Sequence, residues 1–184
     1  MHLGATVLVM GWLLVSVLLA QVPSPAEIET ARTVGHRTKQ AGGLVSSKLG
    51  SAYTVTIQGP LGRVQALAAD AARKLLPPPE IPEGLLEPFL TVHVTPQTPY
   101  GTLIPPAVAH VVLRYADGTV IQATALTPFP VSWSNLAGGQ AQSGGVFARF
   151  PLPDIAGELA VVVVNVAGQQ RVHTIKAKDR DKLR

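Results

Sequence analysis

Short stretches of alternating apolar and polar residues fill the second half of the chain. Alternation with a period of two is typical of strands that bury one face and expose the other. Such stretches recur at 89–95, 108–115, 119–125, 131–134, 145–150, 158–166 and 170–177. Gly118 and Gly168 supply the positive φ that tight turns at 116–118 and 167–169 need. The pattern predicts a mainly β protein whose strands form an immunoglobulin-like antiparallel β-sandwich.

One of these stretches, ELAVVVVNV at 158–166, is apolar without alternation. A strand of that kind is typical of the centre of a sheet, where both faces are covered. We therefore expect it to be a central strand of the sandwich. Glu158 and Asn165 flank the valines, and we interpret them as polar residues that discourage aggregation.

A small α/β segment precedes the sandwich. Residues 51–58 alternate in the manner of a strand, and helical spacing of apolar residues follows between Pro60 and Pro77. The apolar stripe of that helix consists of Leu61, Val64, Leu67, Ala68, Ala71 and Leu75. We expect the strand and the amphipathic helix to occupy 51–76, with the helix packed against the neighbouring sheet.

The remaining segments look like connections and ends. Ser24 and Pro25 can start a helix, but apolar residues are sparse after them and glycines follow. The predicted organisation is a flexible or weakly helical spacer at 21–50, the strand and helix at 51–76, a proline-rich linker at 77–88, the sandwich at 89–177, and a charged tail at 178–184. We expect the tail to be solvated and frayed.

The first 20 residues carry no Lys, Arg, Asp or Glu, and 3–20 are almost entirely apolar. This length suits either a signal peptide, with the small Ala20 before the cut, or an N-terminal membrane anchor. Both alternatives predict an exported protein that is periplasmic, on the cell surface or secreted. A third alternative, an anchor with its C-terminus inside, keeps the body in the cytoplasm. We expect membrane contact only through 1–20, if they are not cleaved.

Charge and cysteine content exclude several classes of protein. The formal net charge is +4, and the basic residues of 176–184 account for most of the excess, while 89–175 is neutral. A nucleic-acid surface needs Lys and Arg spread over a folded face, so no nucleic-acid partner is expected. The chain has no cysteine, which excludes thiolate zinc sites and disulfides. It also lacks the Cys–Trp–Cys signature of antibody domains, so the immunoglobulin-like prediction concerns architecture only.

Candidate catalytic chemistry is scarce. His93, His110 and His173 lie on predicted strands, and three outward imidazoles could in principle hold zinc, but no HExxH spacing supports such a site. No GxSxG, phosphate-binding loop or acid-rich calcium loop is present. We therefore expect no enzyme activity, no metal and no cofactor; a small exported hydrolase or metal-dependent enzyme is the least favoured alternative.

Two regions are candidates for ligand binding. The loop-and-strand stretch 127–145 contains Phe129, Trp133 and Asn135, and Tyr100 lies in a second, proline-framed loop. An exposed tryptophan beside amide side chains can stack on a sugar ring, although Trp133 could instead be the core tryptophan of the sandwich. The sequence thus favours an exported, non-catalytic binding or structural module that contacts a protein of the cell envelope. The alternative is a carbohydrate-binding module around Trp133, with a glycan as ligand.

Overall fold

Two antiparallel sheets form the body of the protein in the computed structural model, which describes residues 22–97, 104–134, 140–153 and 157–183. The first sheet contains, in spatial order, β1 (Leu44–Leu49), β2 (Tyr53–Gln58), β3 (Phe89–Pro96), β7 (Gln140–Pro151) and β6 (Ala125–Ser134). The second contains β5 (Val120–Gln122), β4 (Val108–Tyr115), β8 (Leu159–Asn165) and β9 (Gln170–Ile175). The predicted mainly β fold with an antiparallel β-sandwich is confirmed.

Alternation along the strands decides which side chains fill the core between the sheets. On β3, Leu90, Val92 and Val94 are buried while the residues between them are partly exposed. β2, β4, β7 and β8 contribute in the same way, and the largest fully buried side chains include Tyr53 and Phe150. β8 lies between β4 and β9, as expected for the apolar stretch at 158–166.

The strand order is compatible with an immunoglobulin-like sandwich. Without β1, the order β2-β3-β7-β6 opposite β5-β4-β8-β9 matches the A-B-E-D sheet and the C-F-G sheet with one added edge strand. A helix and a proline-rich segment separate β2 from β3, however, where such domains have a short connection. The immunoglobulin-like assignment therefore stays a prediction.

The range 21–50, expected to be a spacer, holds a helix and a strand. Helix α1 (Pro25–Thr38) starts with a capping box between Ser24 and Glu27, and β1 pairs with β2 along its whole length. α1 packs against helix α2 (Pro60–Arg73) through small residues: Gly35 approaches the Gln65 carbonyl so closely that a Cβ would collide with it. Small residues produce no apolar stripe, which is why the sequence pattern there looks weak.

Helix α2 is present where the sequence predicts it, but its main partner differs. It packs against α1 rather than only against a sheet, and Leu75, assigned to its apolar stripe, lies beyond the helix end and is 86% exposed. Within the described residues, no helix is both long enough and apolar enough to span a membrane.

The proline-rich stretch 77–88 does not separate two sheets. β2, which precedes it, pairs along its length with β3, which follows it. The Arg63 guanidinium of α2 also donates hydrogen bonds to three carbonyl oxygens: Leu85 at 3.0 Å and Glu87 at 2.7 Å in this stretch, and Phe89 at 2.7 Å at the start of β3. Arg63 therefore holds the proline-rich stretch against α2.

The charged tail is folded from 178 to 183, so the expectation of a frayed end is wrong for these described residues. Residues Ala177–Arg180 form the short helix α3, and a 3₁₀ turn follows at Asp181–Leu183. The Leu183 side chain is fully buried in the core cluster. A single apolar residue among charged ones supplies too weak a pattern to predict this from the sequence.

Three further expectations need correction. The strand expected at 119–125 divides into β5 and the start of β6. The loop-and-strand region expected at 127–145 is mostly strand in its described parts, since β6 runs to Ser134 and β7 starts at Gln140, and 135–139 lie outside the described residues. Asn165 is not an exposed gatekeeper, because it is only 4% exposed. Its Oδ1 accepts the N–H groups of Ala167 and Gln169, both at 3.0 Å, so it holds the β8–β9 turn.

Candidate functional site

Three rings stand together on the outward face of the first sheet: His93, Phe129 and Phe147, here called the aromatic cluster. His93 lies between two buried residues of β3, and Phe147 lies between two buried residues of β7. Alternation therefore turns both side chains outward. Phe147 is 42% exposed, which is high for a phenylalanine on a paired strand.

The rings of the aromatic cluster contact one another closely. His93 stacks on Phe147 with 4.1 Å between ring centroids and 12° between planes. Phe129 is tilted against both, with its centroid 4.8 Å from that of Phe147 and 4.9 Å from that of His93. The two distances from Phe129 lie at the short end of the range for favourable aromatic pairs, and the stacked His93–Phe147 pair is closer still, so the three rings form one continuous surface.

Gly145 makes room for the cluster. Phe129 and Gly145 are directly opposed in the pairing of β6 with β7, and a Cβ on Gly145 would collide with the Phe129 ring. The ring therefore lies against bare backbone, where it covers a glycine that would otherwise weaken the strand.

The polar edge of the cluster begins at its histidine. His93 Nε2 lies 3.3 Å from the Thr95 hydroxyl, and beyond it Gln97 donates a hydrogen bond to Thr54 of β2. Burial lowers the pKa of His93, which favours the neutral imidazole. A neutral ring next to hydroxyl and amide groups can both donate and accept hydrogen bonds at the edge of an apolar surface.

Trp133 belongs to the same outward face, so the interpretation as a core tryptophan is wrong. It is half-buried, outside the core cluster, and four residues from Phe129 on β6, which puts both side chains on one side of the strand. At about 3.3 Å per residue, the two positions are roughly 13 Å apart. Tyr53 and Phe150 take the large positions in the core instead.

The predicted ligand-binding residues are only partly placed. Phe129 and Trp133 share the outward face of the first sheet, whereas Asn135 and Tyr100 lie outside the described residues. Sequence reasoning missed Phe147. The sequence did contain a signal. Alternation in the strand predicted at 145–150 places Phe147 at an outward position, where a large apolar side chain needs an explanation.

The three histidines considered for a metal site do not converge. His93 faces outward on the first sheet, and His110 is exposed on the outward face of the second. His173, expected to face outward, pairs with core-facing Val161 and therefore lies on the inner face. Within the described ranges, no group of three His, Asp or Glu side chains is placed to hold a metal ion.

Comparison with known proteins adds little. The chain matches no protein-family model and no curated protein. It is similar to a crystal structure of a novel protein of unknown function from Burkholderia pseudomallei, with 14% identity and a TM-score of 0.43, over 85% of this chain and 90% of that chain. A likeness this weak carries no argument about function.

Proposed function

We propose that the protein is an exported, non-catalytic binding module that contacts a protein of the cell envelope through the outward face of β3, β7 and β6. The aromatic cluster is the observation that carries this proposal. Aromatic residues are enriched at the cores of protein interfaces, where a few rigid side chains supply most of the binding energy. Export rests on the apolar segment at 3–20.

The surroundings of the cluster suit a protein partner. Its rings are held on paired strands, so little conformational freedom is lost when they are covered. Thr95, Gln97 and Thr54 supply a polar edge without charge, and charged residues are the ones that interface cores avoid.

Site-specific photo-crosslinking in the native cells tests the proposal. We expect a benzoylphenylalanine at position 147 to give one discrete protein adduct, because the ring there is exposed within the cluster. The matched control places the same group at position 166, whose valine is 67% exposed in the β8–β9 turn and outside the cluster. No adduct at 147, or the same adducts at both positions, would contradict a protein partner on this face.

A carbohydrate ligand is the second candidate, favoured by the partly exposed Trp133, which shares the outward face with Phe129. Aromatic rings at exposed positions can stack on sugar rings. Trp133 is the one tryptophan among the described residues, and Trp12 is the other tryptophan of the chain, so Trp133→Phe removes the tryptophan signal of this face. Soluble oligosaccharides should shift the fluorescence of the parent protein and leave Trp133→Phe without response. If no cell-envelope glycan changes the fluorescence spectrum of the parent protein, the carbohydrate-binding candidate is wrong.

A further inference from the structure

A second surface, on the opposite sheet, has no role in the proposed function. It is the outward face of β5, β4, β8 and β9, here called the valine face, and its apolar members are Val112, Val120, Ala160, Val162, Val164 and Val172. Outward positions of a sheet that faces water normally alternate to polar residues. Here the apolar residues continue on the side away from the core.

The strand register places three valines in one row. Val162 of β8 is directly opposite Val112 of β4 on one side and Val172 of β9 on the other. Val162 is only 4% exposed because its neighbours cover it, whereas Val172 on the edge strand is 46% exposed. The row thus forms a packed ridge with an open apolar side, a feature that marks interaction surfaces.

One cation and one anion stand at the same end of the valine face. Arg114 and Glu158 line a pocket of about 330 Å³ together with Ala160, Val172 and Thr174. Neither charged side chain has a hydrogen-bond or ion-pair partner among the described residues. The face therefore offers two unpaired charges of opposite sign beside an apolar ridge.

We infer that the valine face is the interface of a homodimer, in which two copies pack sheet against sheet. In a two-fold interface, each pair of contacting residues occurs twice, so a face that carries both signs of charge is complementary to itself. A two-fold axis along the strands, between β4 and β8, places β4 over β8 of the partner subunit. Val112 then lies over Val162 of the partner subunit, and Arg114 lies over Ala160 of the partner subunit, one outward position away from Glu158 of the partner subunit.

Other occupants fit the valine face less well. A nucleic acid or an anionic membrane would need several cations, and Arg114 is the single Lys or Arg among the outward strand positions described. A glycan would favour Trp, Tyr or Phe rings, which the described outward positions of these strands lack. A second copy needs only what the face already has: valines and one charge of each sign.

Sedimentation of the full protein purified from its native cells tests the inference. We expect a dimer with a dissociation constant in the micromolar range. Arg114→Glu should raise this constant at least about tenfold, because both Arg114–Glu158 pairs across the interface then consist of two acidic groups. Glu158→Arg should have the same effect. The double variant Arg114→Glu/Glu158→Arg restores both pairs with reversed signs, so it should recover the dimer.

An apolar substitution provides an independent arm. Val172→Lys should give a monomer. Because Val172 is exposed on an edge strand, the variant should still fold, and a circular dichroism spectrum equal to that of the parent protein verifies this. Val166→Lys, in the turn outside the valine face, is the matched control and should remain dimeric. Any of three results overturns the inference. The parent protein is a monomer, Val172→Lys leaves the dimer intact, or the double charge reversal fails to recover the dimer. Crosslinking from position 147 reports on the other sheet, so the two proposals fail separately.

Discussion

Single side chains define both candidate surfaces by their position in the alternation. Phe147 and His93 face outward because their neighbours fill the core, and Phe129 can lie flat only because residue 145 is glycine. Asn165, by contrast, is a polar residue at a buried position. It is buried, yet both of its amide atoms are used, since Nδ2 donates to Gln169 Oε1 at 3.1 Å and Oδ1 accepts backbone N–H groups. Satisfied hydrogen bonds make such burial tolerable.

Two histidines whose burial lowers their pKa, His93 and His173, predict acid sensitivity. Burial lowers the pKa of His93 and of His173, whose Nε2 is buried without a hydrogen-bond partner among the described residues. In the unfolded chain both titrate near pH 6.5, so the unfolded state binds more protons below that pH. The two histidines therefore do not reduce the free energy of unfolding above about pH 6.5, and this free energy should fall as the pH decreases below that value.

Urea denaturation at pH 7.5 and at pH 5.5 measures this effect. The variant His93→Phe keeps a ring against Phe147 and removes one titrating group. It should lose part of the pH dependence, and the part that remains should disappear when His173 is also replaced. A pH dependence in His93→Phe equal to that of the parent would show that His93 does not contribute.

At the scale of elements, contacts from distant parts of the chain decide what local patterns leave open. α2 holds the linker through Arg63, whose guanidinium lies 3.6 Å from the Phe89 ring centroid, while Arg149 covers the other side of the same ring at 3.7 Å. Arg149 also pairs with Glu87. Burial, followed by the nearby charge of Arg149, lowers the pKa of Arg63 to about 10, so it is still protonated at neutral pH.

Removing this arginine should release the linker. Arg63→Met keeps the aliphatic stem but loses three hydrogen bonds to carbonyl oxygens, and we expect the free energy of unfolding to fall by about 2 to 4 kcal/mol. Arg73→Met on the same helix is the matched control, because Arg73 is exposed and makes one carbonyl hydrogen bond at 3.2 Å. Its effect should stay below about 1 kcal/mol. Equal losses in the two variants would mean that Arg63 does not fasten the linker.

Prolines show how an edge strand can escape prediction. Pro128 and Pro130 suggest a loop, yet both lie in β6, paired with β7 on one side. They alternate along an edge strand, so the missing N–H groups fall on its free side and cost no ladder hydrogen bonds. They also leave that edge poorly suited to pairing with another strand.

At the scale of the whole molecule, the two sheets present two different outward faces. The first carries the aromatic cluster, and the second carries the valine face. A protein that dimerises through one sheet keeps the other free for a partner, and two copies then present two aromatic clusters. Such an arrangement would raise the apparent affinity for a partner that repeats in the envelope.

Export is the prediction that belongs to this scale. If 1–20 act as a signal peptide, cell fractionation followed by intact-mass measurement should find a species that begins at Gln21 in a soluble extracytoplasmic fraction. Replacing Leu13 and Leu14 with Arg should retain the protein in the cytoplasm, because charges interrupt the apolar segment. A full-length parent protein in the cytoplasm would contradict the export proposal.

Much of the sandwich could be predicted from the sequence, because strand faces and tight turns depend on neighbouring residues. The strands at 108–115 and 170–177 and the turns at Gly118 and Gly168 are examples. β1 and α1 could not be predicted with the same assurance. Their stability comes from pairing with β2 and from close packing on α2, which leave little trace in their own sequences.

The sequence by itself determined the alternation of inward and outward residues, the turn positions and the charge-poor character of the sandwich, because each depends on local composition. Only the tertiary structure decided which outward residues meet. His93 meets Phe147 because β3 pairs with β7, and Val112 aligns with Val172 because β8 lies between their strands. It also decided that Trp133 stays outside the core. Strand order and register are properties of the assembled sheets, and both candidate surfaces depend on them.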